Sequence, residues 1–190
     1  MTKSDLTLLA VLVDRSESMA SCRSEMEGGL NTFLEAQADK PGNLQVTLAQ
    51  FNTEYETVIP PARFSGMTLR YVLEPRGDTA LLDAMGRFIT EIGEMLASTP
   101  EKDRPGKVIV CIVTDGEDDS SVHWTKEGVK KLIEQQRAEW GWEFVFLVAA
   151  REREVGVSAA VAVPIADMDQ VSEACQAALN KALAATAAVR

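Results

Sequence analysis

Five consecutive residues, Asp14-Arg15-Ser16-Glu17-Ser18, carry the clearest chemistry in this chain. An acid ends the apolar run Leu6 to Val13, and two hydroxyls follow at alternate positions before a helical pattern begins at Met19. One carboxylate and two hydroxyls therefore share a tight loop. All three are short oxygen donors, the kind that suits a hard divalent cation such as Mg²⁺. Asp and Ser are also ordinary turn and N-cap residues, so the pentapeptide alone reads as a capped helix start. Two later stretches, around Thr79 and around Asp115, change that balance.

The elements that must position these residues follow from the hydrophobic pattern. Leu6 to Val13 has no polar alternation, as in a central parallel strand covered on both faces. Met19, Cys22, Met26, Leu30, Phe33, Leu34 and Gln37 recur at threes and fours, predicting a helix of about five turns that Pro41-Gly42-Asn43 stops. Gly28-Gly29 in its middle weakens it by roughly 1 kcal/mol per glycine relative to alanine, and the pair reads as a place of close helix–sheet packing. Leu44 to Phe51 and Tyr55 to Ile59 are strands joined by Asn52-Thr53-Glu54, a connection short enough only for an antiparallel hairpin. Pro60-Pro61 is expected to end the second strand and marks it as an edge. Residues 62–76 read as irregular, with Leu69 to Leu73 as a short strand or turn.

Leu82, Met85, Ile89, Ile92 and Leu96 form the stripe of a second long helix, opened by Gly77-Asp78-Thr79-Ala80. Lys107 to Val113 is a second unbroken apolar strand, ending at Thr114-Asp115-Gly116 and followed by the acidic run Glu117-Asp118-Asp119. Thr125 to Trp140 reads as a helix and Glu143 to Ala150 as a buried strand. Arg151 to Val155 reads as a charged loop or short helix, Val161 to Ile165 as a last strand, and Asp169 to Ala188 as an alanine-rich helix capped by Asp167 or Asp169. Strands alternating with helices predict an α/β fold, doubly wound, with a mainly parallel sheet, one antiparallel edge strand and helices on both faces. Ligands in such sheets sit beyond the carboxyl ends of the strands where strand order reverses. The two most central strands end at Asp14 and Asp115.

Asp14, Ser16 and Ser18, then Thr79, then Asp115, in this order and in an α/β setting, resemble the von Willebrand factor A domain family and its metal-ion-dependent adhesion site. The resemblance spans about residues 7–185, anchored in Asp14 to Met19, Gly77 to Ala84 and Val113 to Gly116. It implies a Rossmann-like fold and a single domain over residues 1–190 with a core of about 6–185. By the same resemblance Ser16, Ser18 and Thr79 would ligate Mg²⁺ (or Mn²⁺ or Ca²⁺) through their hydroxyls, with Asp14 and Asp115 acting mostly through water. A cation so held lacks one ligand and keeps much of its charge, so an Asp or Glu of a protein partner would complete its octahedron. Family members often carry glycine between the two serines. Glu17 stands there instead, and its charge, with that of Glu117, Asp118 and Asp119, works against an acidic partner.

Each residue taken separately has a plainer use. Ser18 caps the first helix, Thr79 the second, and Asp115-Gly116 turns the chain. Asp78 is a cap candidate, Asp83 a helix-surface or packing residue, 117–119 a solvated loop, and His123 a loop residue. Trp124, Trp140 and Trp142 read as packing anchors.

The chain of 190 residues is long enough for one cored domain. Its net charge of −10 speaks against nucleic acid and anionic membranes as partners. Three cysteines (Cys22, Cys111, Cys175) with no close-spaced pair suit neither a disulfide framework nor a zinc site. The first apolar run, only eight residues long, is too short to span a membrane and lacks a leader's cleavage site. The expectation is a cytoplasmic, non-enzymatic binding module similar to the small stand-alone bacterial and phage members of that family. The rival is a Mg²⁺-dependent phosphohydrolase with Asp14 as nucleophile, but Ser16 stands where the haloacid dehalogenase-like signature needs a second Asp. No G-x-S-x-G elbow and no P-loop is present. A degenerate scaffold that binds without metal is the third reading, and Glu17 is what keeps it open.

Overall fold

Unbroken apolar runs become the middle of a sheet because both of their faces must be covered. The computed structural model of the protein describes residues 2–38, 43–64, 70–115, 118–150 and 159–164. Six strands, β1 (Lys3–Asp14), β2 (Asn43–Phe51), β3 (Tyr55–Phe64), β4 (Pro105–Thr114), β5 (Glu143–Ala150) and β6 (Ala159–Pro164), lie in the order β3-β2-β1-β4-β5-β6. β1 pairs in parallel with β2 and with β4, and β4 with β5. Among the described residues three α-helices, α1 (Arg23–Ala38), α2 (Leu81–Ser98) and α3 (Lys126–Trp140), cover the sheet.

The core divides by strand parity. Leu8, Ala10 and Leu12 of β1, with Val110 and Ile112 of β4, face Met85, Phe88 and Ile89 of α2 and Val129 and Ile133 of α3. Leu9, Val11 and Val13, with Cys111 and Val113, face Met26, Leu30 and Leu34 of α1. Helices therefore cover both faces, as the sequence pattern required. From β1 the chain moves outward to β2 on one side, and β4 then returns to β1's other side. The order reverses between β1 and β4, which puts Asp14 and Asp115 at the reversal.

The expected antiparallel edge strand is β3. It does not stop at Pro60-Pro61 but runs on to Phe64. The ladder shifts register between Val46↔Ala62 and Leu48↔Ile59, so the two prolines fall in the irregularity, where no ladder N–H is asked of them. β6, at the opposite edge, is also antiparallel to its neighbour. Only residues 151–158 separate it from β5, fewer than the roughly 10–12 that a parallel crossover needs.

Three further expectations are corrected. A 3₁₀ turn, Glu17–Cys22, precedes α1, so the helix proper begins at Arg23. Gly28 is exposed and a side chain there would meet nothing, so it marks no close packing. Trp140 is 65% exposed at the rim of a surface groove, whereas Trp142 is buried. Residues 70–76 form no strand. Asn31 of α1 bonds both backbone groups of Tyr71, and Glu27 accepts the N–H of Leu73. The expected segments Arg151 to Val155 and Asp169 to Ala188, together with Gly116, Glu117, Ile165 and Cys175, lie outside the described residues.

Candidate metal site

Asp14 is the last residue of β1 and is fully buried. Its Oδ1 accepts the N–H of Ser16 at 2.8 Å, and its Oδ2 accepts the hydroxyl of Thr114, the last residue of β4, at 2.8 Å. Burial pushes Asp14 up to about 6; the hydroxyl and N–H of Ser16 and the Thr114 hydroxyl draw it back, and the neighbouring charge of Asp115 adds to the rise. The turn that Asp14 closes brings Ser16 Oγ to 3.0 Å from Ser18 Oγ. Neighbouring positions of an octahedral Mg²⁺ shell, at about 2.0–2.1 Å from the ion, stand about 2.9 Å apart. The two hydroxyls thus fit adjacent places on one such ion. Glu17, between them, is exposed.

Thr79 is brought to the same end of the sheet by a stitched set of loops. The first loop is held by Arg15 N–H to Phe51 C=O, Glu17 N–H to Gly77 C=O and Arg76 N–H to Arg15 C=O. Asn52, at the end of β2, donates its side-chain N–H to Arg76 C=O and accepts the N–H of Ala80 on its backbone C=O. Gly77 turns at φ +73, and a Cβ on it would stand 2.8 Å from Asn52 Nδ2, so the loop needs glycine there on both counts. Arg15 turns its buried guanidinium toward Glu56 at 3.2 Å and Glu54 at 3.8 Å, on the β2–β3 side.

Ser18 and Thr79 do not stand at the N-cap positions expected of them: Ser18 lies inside the 3₁₀ turn and Thr79 one residue before the N-cap of α2. The residue before α2 is Ala80, with no side-chain cap, and Ser16, before the 3₁₀ turn, also makes no capping bond. α2 is capped from elsewhere: Asp118 Oδ1 accepts the N–H of Leu82, Ser121 Oγ that of Asp83, and Asp119 Oδ1 that of Thr79. Asp118 and Asp119 are exposed, as the solvated-loop reading expected, and their carboxylates also bond backbone N–H groups at a helix N-terminus, where negative charge is favoured. Asp115, partly buried, follows β4 directly and is close enough to Asp14 for its charge to act on that carboxyl. Among the described residues no group of three or more His, Cys, Asp or Glu is arranged to hold a metal; the candidate donors are hydroxyls, backed by acids.

Four residues of this region were not read as site residues from the sequence. Thr114, Asn52, Asp118 and Asp119 act through partners 24 to 100 residues away, which no local pattern displays. A cleft of about 440 Å³ opens beside the Thr79 loop, walled by Asn52, Tyr55, Arg87, Val122, His123 and Trp124.

No protein-family model and no curated protein matches the chain. Solved structures do. A von Willebrand factor type A protein from Catenulispora acidiphila is 17% identical with a TM-score of 0.51, covering 76% of this chain and 32% of that one. The manganese-loaded TRAP protein of Plasmodium vivax is 19% identical with a TM-score of 0.52, covering 75% and 56%. The pilus adhesin SpaC of Lactobacillus rhamnosus GG, in an open conformation, is 15% identical with a TM-score of 0.52, covering 77% and 24%. The chain thus spans from about a quarter to just over half of the length of these structures. What they share with it, at such identities, is the backbone, and with the strand order and loop placement described above they show that this chain has the von Willebrand factor A fold.

Proposed function

We propose that the protein is a metal-dependent binding module that recognises a carboxylate of a protein partner. Ser16, Ser18 and Thr79 would hold a divalent cation, Mg²⁺ or in its place Mn²⁺ or Ca²⁺, with Asp14 and Asp115 behind them. The observation that carries this is the pair of seryl hydroxyls 3.0 Å apart above the fully buried Asp14. An acid is kept in an apolar surrounding at a cost, and a nearby cation would offset that cost. A shell made mostly of neutral oxygens leaves the ion's charge for an incoming carboxylate. The manganese in the TRAP structure and the adhesin role in the name of SpaC support a divalent ion and a protein partner respectively.

A binding role rather than catalysis accords with the state of Asp14. Both of its oxygens accept protein hydrogen bonds and it has no exposed surface, a poor setting for a nucleophile that must reach phosphorus. We place the protein in a reducing, cytoplasmic setting, where Cys22 and Cys111 would persist as the buried thiols they are here. No helix among the described residues is long and apolar enough to cross a membrane.

The test is calorimetric. A short peptide with one central Glu should bind in Mg²⁺ and lose its binding in chelator, while its Gln counterpart should bind in neither. Equal binding of the Glu and Gln peptides, or binding of the Glu peptide that chelator leaves unchanged, would refute the carboxylate–metal mode.

A further inference from the structure

One carboxylate outside the proposed ion shell grips the segment that also bonds the backbone of Thr79. Asp83 stands in the first turn of α2. Its Oδ1 accepts the N–H groups of His123 at 2.8 Å and Trp124 at 2.7 Å, and its Oδ2 accepts that of Val122 at 3.0 Å. Burial alone would raise its pKa, but the three backbone N–H groups outweigh that and hold the carboxyl below its usual range. A carboxylate so occupied is a structural anchor and not a spare ligand.

The grip is returned. The start of α2 has no cap of its own and takes its acceptors from Asp118, Asp119 and Ser121, while the Thr79 C=O accepts the N–H groups of Asp119 and Ser120, each at 3.0 Å. Trp124 then lies flat on the helix one turn after Asp83. A Cβ on Gly86 would fall 2.1 Å from the indole Cδ2, so the ring occupies the space that only glycine leaves. Carboxylate, trans caps and indole together join residues 79–86 to residues 118–124.

Thr79, one of the proposed ligands, heads the first segment, and the second begins three residues after Asp115 in the chain. Neutral hydroxyls and water-bridged acids bind an ion only when their positions are set in advance, within about 0.5 Å. We infer that Asp83, with Trp124 and Gly86, is a positioning group for the metal site: it sets where Thr79 stands against Asp115 without touching the ion. This rests on the metal-binding reading given above. Supporting groups of this kind change metal affinity by about 10–100-fold when removed.

The experiment measures two things on the full chain. Amide hydrogen exchange of Val122, His123 and Trp124, without metal, reports whether the grip exists. Mn²⁺ affinity, by electron paramagnetic resonance, reports whether the site depends on it. Asp83→Ala should release the three amides and weaken Mn²⁺ binding at least about tenfold. Asp83→Asn, which keeps one acceptor oxygen, should fall between it and the wild type. Gly86→Ala, which displaces the indole, should also weaken Mn²⁺ and keeps the test open if Asp83→Ala fails to fold. Ile92→Val, in the core farther along α2, should lower the melting temperature yet bind Mn²⁺ like the wild type. Wild-type Mn²⁺ affinity in Asp83→Ala and Gly86→Ala, or amides that stay protected in Asp83→Ala, overturns the positioning role and leaves the metal site standing. A wild-type protein that binds no Mn²⁺ overturns the metal site itself, and the positioning role with it.

Discussion

At the carboxyl ends of β1 and β4 the protein buries an acid, two hydroxyl-bearing loops and a guanidinium; at the amino ends of the same strands it leaves an indole in water. The amino-terminal end is closed with inexpensive parts. Lys3 pairs with Asp103 at 3.0 Å and Lys107 with Glu143 at 2.9 Å, all of them substantially exposed. Arg104 donates to the carbonyls of Ala97 and Thr99 and so satisfies the end of α2. Beside them a groove of about 600 Å³ is lined by Leu96, Pro105, Val108, Trp140 and Trp142. Exposed pairs of this kind contribute little, about 0–1 kcal/mol each. At the other end Asp14, Arg15, Ser16, Asn52, Thr79 and Thr114 are withdrawn from solvent, and Asp14, Asn52 and Thr79 are held by partners distant in sequence. Keeping Asp14 buried costs stability that an isosteric neutral residue would restore. Proteins keep such costs where a function uses them.

The contrast breaks most sharply at Asp14. Asp14→Ala should reduce Mn²⁺ affinity by at least about 100-fold, because the residue both orients the Ser16 turn and supplies charge. The fold should survive, since losing a costly buried carboxylate offsets the loss of its two hydrogen bonds, about 1–3 kcal/mol for groups left unsatisfied. Isothermal titration and circular dichroism on one sample would check both. Trp140→Ala, at the opposite end, should leave Mn²⁺ affinity unchanged in the same titration.

A smaller effect follows from the raised pKa of Asp14, about 6 against 3.8 for the free group. A folded-state value above the unfolded one means that the protonated form is favoured by folding. The penalty is absent below about pH 4, grows as pH rises, and is complete above about pH 6, where two units are worth about 3 kcal/mol. Metal-free wild type should therefore lose stability relative to Asp14→Asn between pH 4 and 6.5, and Asp14→Asn should be the more stable at pH 7.5. Urea denaturation across that range is the check; parallel profiles would contradict it. Metal affinity should fall on the acid side of the same window, as protons compete for the carboxylate.

Charge at the mouth sharpens the comparison further. Glu17→Gly removes an exposed charge between the two serines, and in Mg²⁺ an acidic peptide should bind a few-fold more tightly, an advantage that shrinks in 0.5 M salt. The smallest effect is again at the amino-terminal end. Trp140→Ala should change unfolding free energy by no more than about 0.5 kcal/mol, as for other surface substitutions, measured by urea titration.

The sequence displayed what depends on short-range pattern. Leu6 to Val13 and Lys107 to Val113 read as central strands because an unbroken apolar run has few other uses, and the acids that end them mark where strand order reverses. It did not display what depends on contacts between distant segments. Asp83 looks like any surface acid of an amphipathic helix until residues 122–124 fold onto it. Gly28 looks meaningful in its pair with Gly29, yet a side chain there would meet nothing, whereas one at Gly86 would collide with the Trp124 indole. Pro60-Pro61 reads as a stop, yet an edge strand with a register shift accommodates both. The orientation of β6 depends on the length of the chain before it, which is legible, and on which strand it joins, which is not.

The most direct measurement of the central claim is a Mn²⁺ titration of the wild type and of the double variant Ser16→Ala, Ser18→Ala, followed by electron paramagnetic resonance. The two hydroxyls are the donors whose spacing supports the ion, and removing them leaves Asp14 in place. One bound Mn²⁺ per wild-type chain, displaced by excess Mg²⁺ and absent from the double variant, is the result expected. Equal Mn²⁺ binding by both proteins, or none by the wild type even with acetate present to complete the shell, would contradict the account.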